Sequence, residues 1–95
     1  KIAIKLNPNY TSAHYNLGVV LFADGKIEEA ISHYKIAIKL NPNFTSAHYN
    51  LGVVLLQKGE IKEAVHYFRE ALKLKPDFVA ARDNLKFALL RLQEL

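Results

Sequence analysis

The eleven residues from Thr11 to Leu21 recur unchanged from Thr45 to Leu55, and the nine from Lys1 to Asn9 recur as Lys35 to Asn43. With residues 1–34 laid over 35–68, 24 of 34 positions are identical. Most of the differences are conservative, such as Tyr10 against Phe44, Ile31 against Val65 and Tyr34 against Phe68. A fixed period of this length means one supersecondary unit stacked on copies of itself, each covering an apolar face that its neighbour cannot bury alone.

The period sets the terms on which composition matters. Ninety-five residues make one small domain (1–95) as a single stack. Half the residues are apolar, with four Gly and three Pro, which excludes disordered and collagen-like chains. The absence of Cys excludes a disulfide framework, a thiol nucleophile and a Cys-ligated zinc site. It fits a reducing compartment, and a cytoplasmic setting is the expectation. With no Met, the sequence reads as a piece of a longer protein, with targeting information outside it. No run approaches the ~18 apolar residues of a membrane span, and no signal-peptide pattern is present.

The net charge of +4 is mild. Lys1, Lys35 and Arg69 share one slot of the period, and Lys5, Lys39 and Lys73 another. Stacking lines them up as two basic rows on an outer, solvated face. Neither stacking aromatics nor Arg clusters accompany them, so neither nucleic acid nor a membrane is the expected partner.

Along the chain, Lys1 to Leu6 reads as the end of a helix, with residues 1–8 closing a preceding repeat. Pro8 stops that helix, and Asn9 is placed to cap the next. The segment from about Tyr10 to Asp24 is apolar around most of its circumference. His14, Leu17 and Leu21 form one stripe, Tyr15, Val19 and Phe22 a second, and such a helix must be covered on several sides. Gly25 supplies the left-handed residue after its last turn. The segment from about Lys26 to Leu40 has Ile27, Ala30, Ile31, Tyr34, Ala37 and Ile38 at helical spacing and charged residues opposite. An inner helix therefore alternates with an outer one, joined as an αα-hairpin. The unit recurs as an inner helix near Phe44 to Lys58, capped by Asn43, and an outer helix near Glu60 to Leu74. Asp77 caps a third inner helix running from about Phe78 towards Glu94.

In the third copy Lys86 stands where the first two have Gly18 and Gly52. Those glycines are expected to let each inner helix approach its outer partner near Ala30 or Ala64. A lysine there predicts that no outer helix follows, so residues 79–95 read as a capping helix, with Lys86 and Arg91 wetting its outer side.

These residues resemble the tetratricopeptide repeat, whose pattern is Trp-x2-Leu-Gly-x2-Tyr, then Ala-x3-Phe, a small residue and Pro. The first copy (11–44) has His14, Leu17, Gly18, Leu21, Ala30, Tyr34, Ala37 and Pro42 in those slots; the second (45–78) has His48, Leu51, Gly52, Leu55, Ala64, Phe68, Ala71 and Pro76. His for Trp and Leu for Tyr are departures that adjust core filling. The resemblance implies an all-α, right-handed α-α superhelix of stacked helix-turn-helix repeats. It also implies that inner helices line a concave groove for a peptide or helical segment of another protein. Transferred to this chain, the groove slots are Ser12, Tyr15, Asn16, Val19, Phe22 and Ala23. They continue as Ser46, Tyr49, Asn50, Val53, Leu56 and Gln57, then Ala80, Asp83, Asn84, Phe87, Leu90 and Arg91.

Some family members grip acidic chaperone tails with Lys, Asn, Asn, Lys and Arg. The matching slots here are Tyr15, Val19, Asn50, Ala80 and Asn84, and only Asn50 agrees. Asn16, Asn50 and Asn84 instead resemble the asparagine ladder of O-linked N-acetylglucosaminyltransferase repeats, in which amides hold a peptide backbone. An amide can donate and accept, so it suits that task. Equally, each Asn can bond to its own or the next helix. Tyr15 and Tyr49, with Val19, Phe22, Val53, Leu56, Phe87 and Leu90, are expected to give an aromatic-aliphatic floor of the kind that anchors partners.

His14, His33, His48 and His66 occupy packing slots or non-equivalent surface slots, and no metal site or cofactor is expected of them. Asn9-Tyr10-Thr11 and Asn43-Phe44-Thr45 match the N-glycosylation pattern, but helix capping accounts for each Asn. No nucleophile, base and orienting group occur together, and no phosphate-cradling loop is present, so an enzyme is not expected. The main expectation is an interaction scaffold or adaptor. The alternatives are a module that self-associates end to end through its open N-terminal end, where Ile2 and Leu6 lie, or a substrate-recruiting repeat region of a larger enzyme.

Overall fold

A computed structural model describes residues 8–94 of the chain. The expected helix end at Lys1–Leu6 lies outside the described residues. Five α-helices follow in order, with no strand among the described residues: α1 (Pro8–Ala23), α2 (Ile27–Leu40), α3 (Thr45–Lys58), α4 (Ile61–Leu74) and α5 (Val79–Gln93). They form an all-helical repeat solenoid.

The turns follow from a few residues. After α1, Gly25 takes φ +78, its N–H meets the Phe22 carbonyl at 3.0 Å, and Lys26 N–H meets Leu21 O at 2.8 Å. After α3, Gly59 takes φ +96 and repeats both bonds, to Leu56 at 3.1 Å and from Glu60 to Leu55 at 2.9 Å. This Schellman pairing satisfies carbonyls that a helix end leaves bare, and only glycine enters that left-handed region without strain. Between hairpins, Phe44 N–H closes a turn on Asn41 O at 3.0 Å and Phe78 N–H one on Lys75 O at 3.1 Å. Pro42 and Pro76 take the second position of these turns, which their fixed φ suits.

Those turns correct the expected caps. Asn43 and Asp77 do not cap; Phe44 and Phe78 hold the position before α3 and α5, with no side-chain cap bond. Asn43 instead donates its backbone N–H to Asn41 Oδ1 at 3.1 Å. The proline turn places Asn43 one residue too early to reach the helix. Asn9, also expected as a cap, lies inside α1, which begins at Pro8.

Packing comes from the apolar spacing. On α4, Ile61, Ala64, Val65, Phe68 and Ala71 are buried, while Lys62, Glu63, His66 and Arg69 face solvent. On α3, Ala47, His48, Leu51, Gly52, Val54 and Leu55 are all buried, because α2, α4 and the neighbouring inner helices surround it. The largest fully buried side chains are Tyr34, Phe68, Leu51, Leu55 and Val54.

Each inner helix meets its outer partner through a ring. A Cβ added at Gly18 would stand 2.6 Å from Cε1 of Tyr34, and one at Gly52 2.6 Å from Cε1 of Phe68. The close partner is therefore this ring, not Ala30 or Ala64 as expected, since the ring, one turn further along, fills space that a methyl group cannot reach. Lys86 holds the same slot on α5 and is exposed.

Gly52→Ala forces the buried Phe68 ring to move. Overpacking of this kind costs about 1–3 kcal/mol, more than the up to ~1 kcal/mol that alanine returns in helix propensity. A melting temperature lowered by several degrees is expected, and an unchanged or raised melting point by circular dichroism would contradict this packing.

Candidate protein-binding groove

The backbones of the inner helices α1, α3 and α5 approach one another in succession, whereas those of α2 and α4 stay apart and only long side chains such as Lys35 and Glu63 bridge them. A stack in which one row converges and the other spreads is curved, with the inner helices on its concave wall. Two apolar rows run along this wall at the 34-residue period: Val19, Val53 and Phe87, then Phe22, Leu56 and Leu90. Val19, Phe87 and Leu90 are exposed, and Val53, Phe22 and Leu56 half-buried. Ser12, Asn16, Ala23, Ser46, Gln57, Ala80 and Asp83 are exposed around them. The Arg91 guanidinium sits 5.9 Å from the Phe87 ring centroid, within cation–π range.

Tyr15 and Tyr49 do something other than pave a floor. The Tyr15 ring lies 4.8 Å from Phe44 and 5.9 Å from Tyr34; the Tyr49 ring lies 4.9 Å from Phe78 and 5.9 Å from Phe68. Each tyrosine is thus wedged between its own outer helix and the turn that opens the next unit. Both are half-buried, and their hydroxyls point along the stack.

The asparagines receive those hydroxyls. Asn50 Nδ2 donates to Tyr15 Oη at 3.0 Å and reaches Tyr34 Oη at 3.5 Å. Asn84 Nδ2 donates to Tyr49 Oη at 3.1 Å. Phe68 has no hydroxyl where Tyr34 has one, and Asn84 turns its other N–H to Ala80 O at 3.0 Å. Of the two roles open to these amides, bonding between helices is therefore seen at Asn50 and Asn84, while Asn16 stands exposed. Burial raises the Tyr34 phenol above its usual range; the Asn50 bond works against this, and Tyr15 adds to it.

The histidines also take distinct positions. His48 Nε2 donates to Pro42 O at 2.8 Å, which leaves Nδ1 bare and without a partner among the described residues. It fills the slot expected to face the interior and pins the turn before α3. In the first unit, His14 and His33 meet across the α1–α2 hairpin with Nδ1 atoms 2.9 Å apart. Sequence spacing gives no sign of this pair, because the residues lie nineteen apart on different helices.

The basic rows are partly neutralised. Lys35 pairs with Glu63 at 3.4 Å and Lys73 with Glu70 at 3.0 Å, and Lys58 reaches Glu28 at 2.7 Å. The Lys73 ammonium lowers the Glu70 carboxyl below its usual value, and Glu28 raises the Lys58 ammonium. No helix among the described residues is long and apolar enough to cross a membrane.

A curved stack of αα-hairpins with an exposed apolar inner wall defines a helical-repeat interaction module. Three family models match: TPR repeat over residues 20–59, and tetratricopeptide repeat over 45–78 and over 2–32. The chain belongs to the tetratricopeptide-repeat proteins. No curated protein matches it as a relative. Among solved structures it is similar to a crystal structure of MamA, with 29% identity and TM-score 0.83 over 86% of this chain and 48% of that one. A second MamA structure gives 29% identity and TM-score 0.82, with 86% and 45% covered. The chain therefore spans about half the length of those proteins. The first TPR of Spaghetti (RPAP3) bound to HSP90 peptide SRMEEVD shares the fold at TM-score 0.87 and 23% identity, over 92% of this chain and 69% of that one.

A double-mutant cycle on Tyr15→Phe and Asn50→Ala tests the clasp between units. Asn50→Ala leaves the buried Tyr34 hydroxyl without its amide and is expected to destabilise by about 1–3 kcal/mol. The pair is expected to couple by at least ~0.5 kcal/mol in denaturant melts. Strict additivity would mean that the amide serves something else.

Proposed function

We propose that the chain is an adaptor that binds an extended or helical segment of another protein along its concave wall. The observation that supports this most is the exposure of large apolar side chains there: Val19 at 40%, Phe87 at 50% and Leu90 at 54%. They continue rows whose middle members, Val53 and Leu56, are half-buried, so the wall offers a contiguous apolar track. A segment that laid apolar side chains on these rows would gain the burial that binding hot spots depend on. With Asn50 and Asn84 engaged between helices, the side chains on the two rows carry the recognition, and Asn16, Gln57, Asp83 and Arg91 supply polar contacts at its margin.

A peptide as the ligand class agrees with the peptide-bound Spaghetti repeat domain. An acidic tail is not the expected sequence, because four of the five gripping slots carry other residues here. The pairing of outer-face lysines with glutamates likewise favours a protein partner over nucleic acid. Binding, not catalysis, is the role the wall suits, in a cytoplasmic setting.

Displayed peptides selected on the wild-type chain are expected to lose about tenfold or more in affinity for Phe87→Ala with Leu90→Ala. Folding should hardly change, since both side chains are exposed. Selected peptides that bind the folded double variant as well as wild type would defeat the proposal.

A second reading has its own observation. Leu17 is 46% and Val20 55% exposed on α1, whereas the same slots on α3, Leu51 and Val54, are fully buried by the unit before them. That face could stack on another copy. Light scattering should then show a mass that rises with concentration and falls to monomer in Leu17→Glu; a monomer at every concentration would dismiss self-assembly.

A further inference from the structure

The first hairpin holds a pair of side chains that the second lacks. His14 on α1 and His33 on α2 place their Nδ1 atoms 2.9 Å apart, with ring centroids 5.2 Å apart and planes inclined by 23°. Both rings are half-buried, so one edge of the pair is open to solvent. The equivalent pair in the second hairpin is His48 and Tyr67, whose centroids stand 5.9 Å apart. There the histidine already gives Nε2 to Pro42 O, and the partner ring has no nitrogen.

We propose that His14 and His33 form a chelating site for a divalent transition cation that prefers imidazole and tetragonal geometry, copper(II) foremost. Nitrogen–metal bonds of ~2.0 Å closing on a 2.9 Å separation subtend about 90°. That is the angle between adjacent ligands in a square-planar or tetragonal site, and smaller than the tetrahedral angle zinc takes. No group of three His, Cys, Asp or Glu surrounds the pair among the described residues. Water completes the sphere, the site stays open and exchangeable, and hard cations such as magnesium find no carboxylate to hold them.

The proton count is simple. In the tautomer pair that allows a hydrogen bond between uncharged rings, one Nδ1–H is shared and the second ring carries its proton on Nε2. Capture needs both Nδ1 lone pairs, so the shared proton moves to Nε2 of its own ring and no net proton is released. The cation then ties α1 to α2, and the melting temperature rises with metal by linkage.

The chain carries its own control. His33→Tyr rebuilds the His48–Tyr67 pair with which the second hairpin folds, so helicity should persist; His33→Gln serves the same comparison if it does not. Copper(II) chloride is titrated into each protein near neutral pH in a non-chelating buffer, followed by calorimetry and electron paramagnetic resonance. Wild type should bind one ion with two nitrogen ligands. His33→Tyr should weaken binding by about tenfold or more, and His66→Asn should leave it unchanged. Equal affinity in wild type and His33→Tyr, or a spectrum with fewer than two nitrogens, would overturn the assignment.

Discussion

Two rings lie where a single added carbon would collide with them, Tyr34 over Gly18 and Phe68 over Gly52. This approach sets the distance between the inner and outer helix of each unit, and the remaining packing is built on that distance. Both rings are almost wholly buried, and Leu51, Val54 and Leu55 fill the space around them. Interiors of this density tolerate little change in volume, so the small residue and the large ring act as one feature. At Lys86 the small residue is gone, and the side chain is exposed on α5.

From that base the stack propagates through a second contact. Tyr15 is held by Tyr34 below and Phe44 beyond, and its hydroxyl meets Asn50; Tyr49, Phe68, Phe78 and Asn84 repeat the arrangement. Each wedge therefore joins the outer helix of one unit to the turn and inner helix of the next. A half-buried hydroxyl and an amide that satisfy each other also fix the register, since a slip would leave both unpaired. With the Asn50 and Asn84 amides engaged in this way, the side chains left exposed along the inner wall include the apolar Val19, Phe87 and Leu90.

The copies are not chemically equal, although they share a backbone. Tyr34 becomes Phe68, and Asn84 turns its spare N–H to its own helix. His33 becomes Tyr67, and a pair of facing imidazole nitrogens becomes a histidine beside a phenol. Ten differences in thirty-four positions thus leave the scaffold intact while changing what individual slots can do.

The sequence by itself determined the repeat, the alternation of inner and outer helices and the glycine turns. Those depend on spacing, and a 34-residue period with helical apolar patterning can be read without coordinates. It also set out both roles open to Asn50 and Asn84 without choosing between them. Only the tertiary structure decided that these amides bond to tyrosines of the preceding unit, that Phe44 and Phe78 precede their helices uncapped, and that His14 faces His33. Each of these depends on which atoms meet across a hairpin or between units, and residues nineteen or thirty-five positions apart show no mutual pattern until packing brings them together.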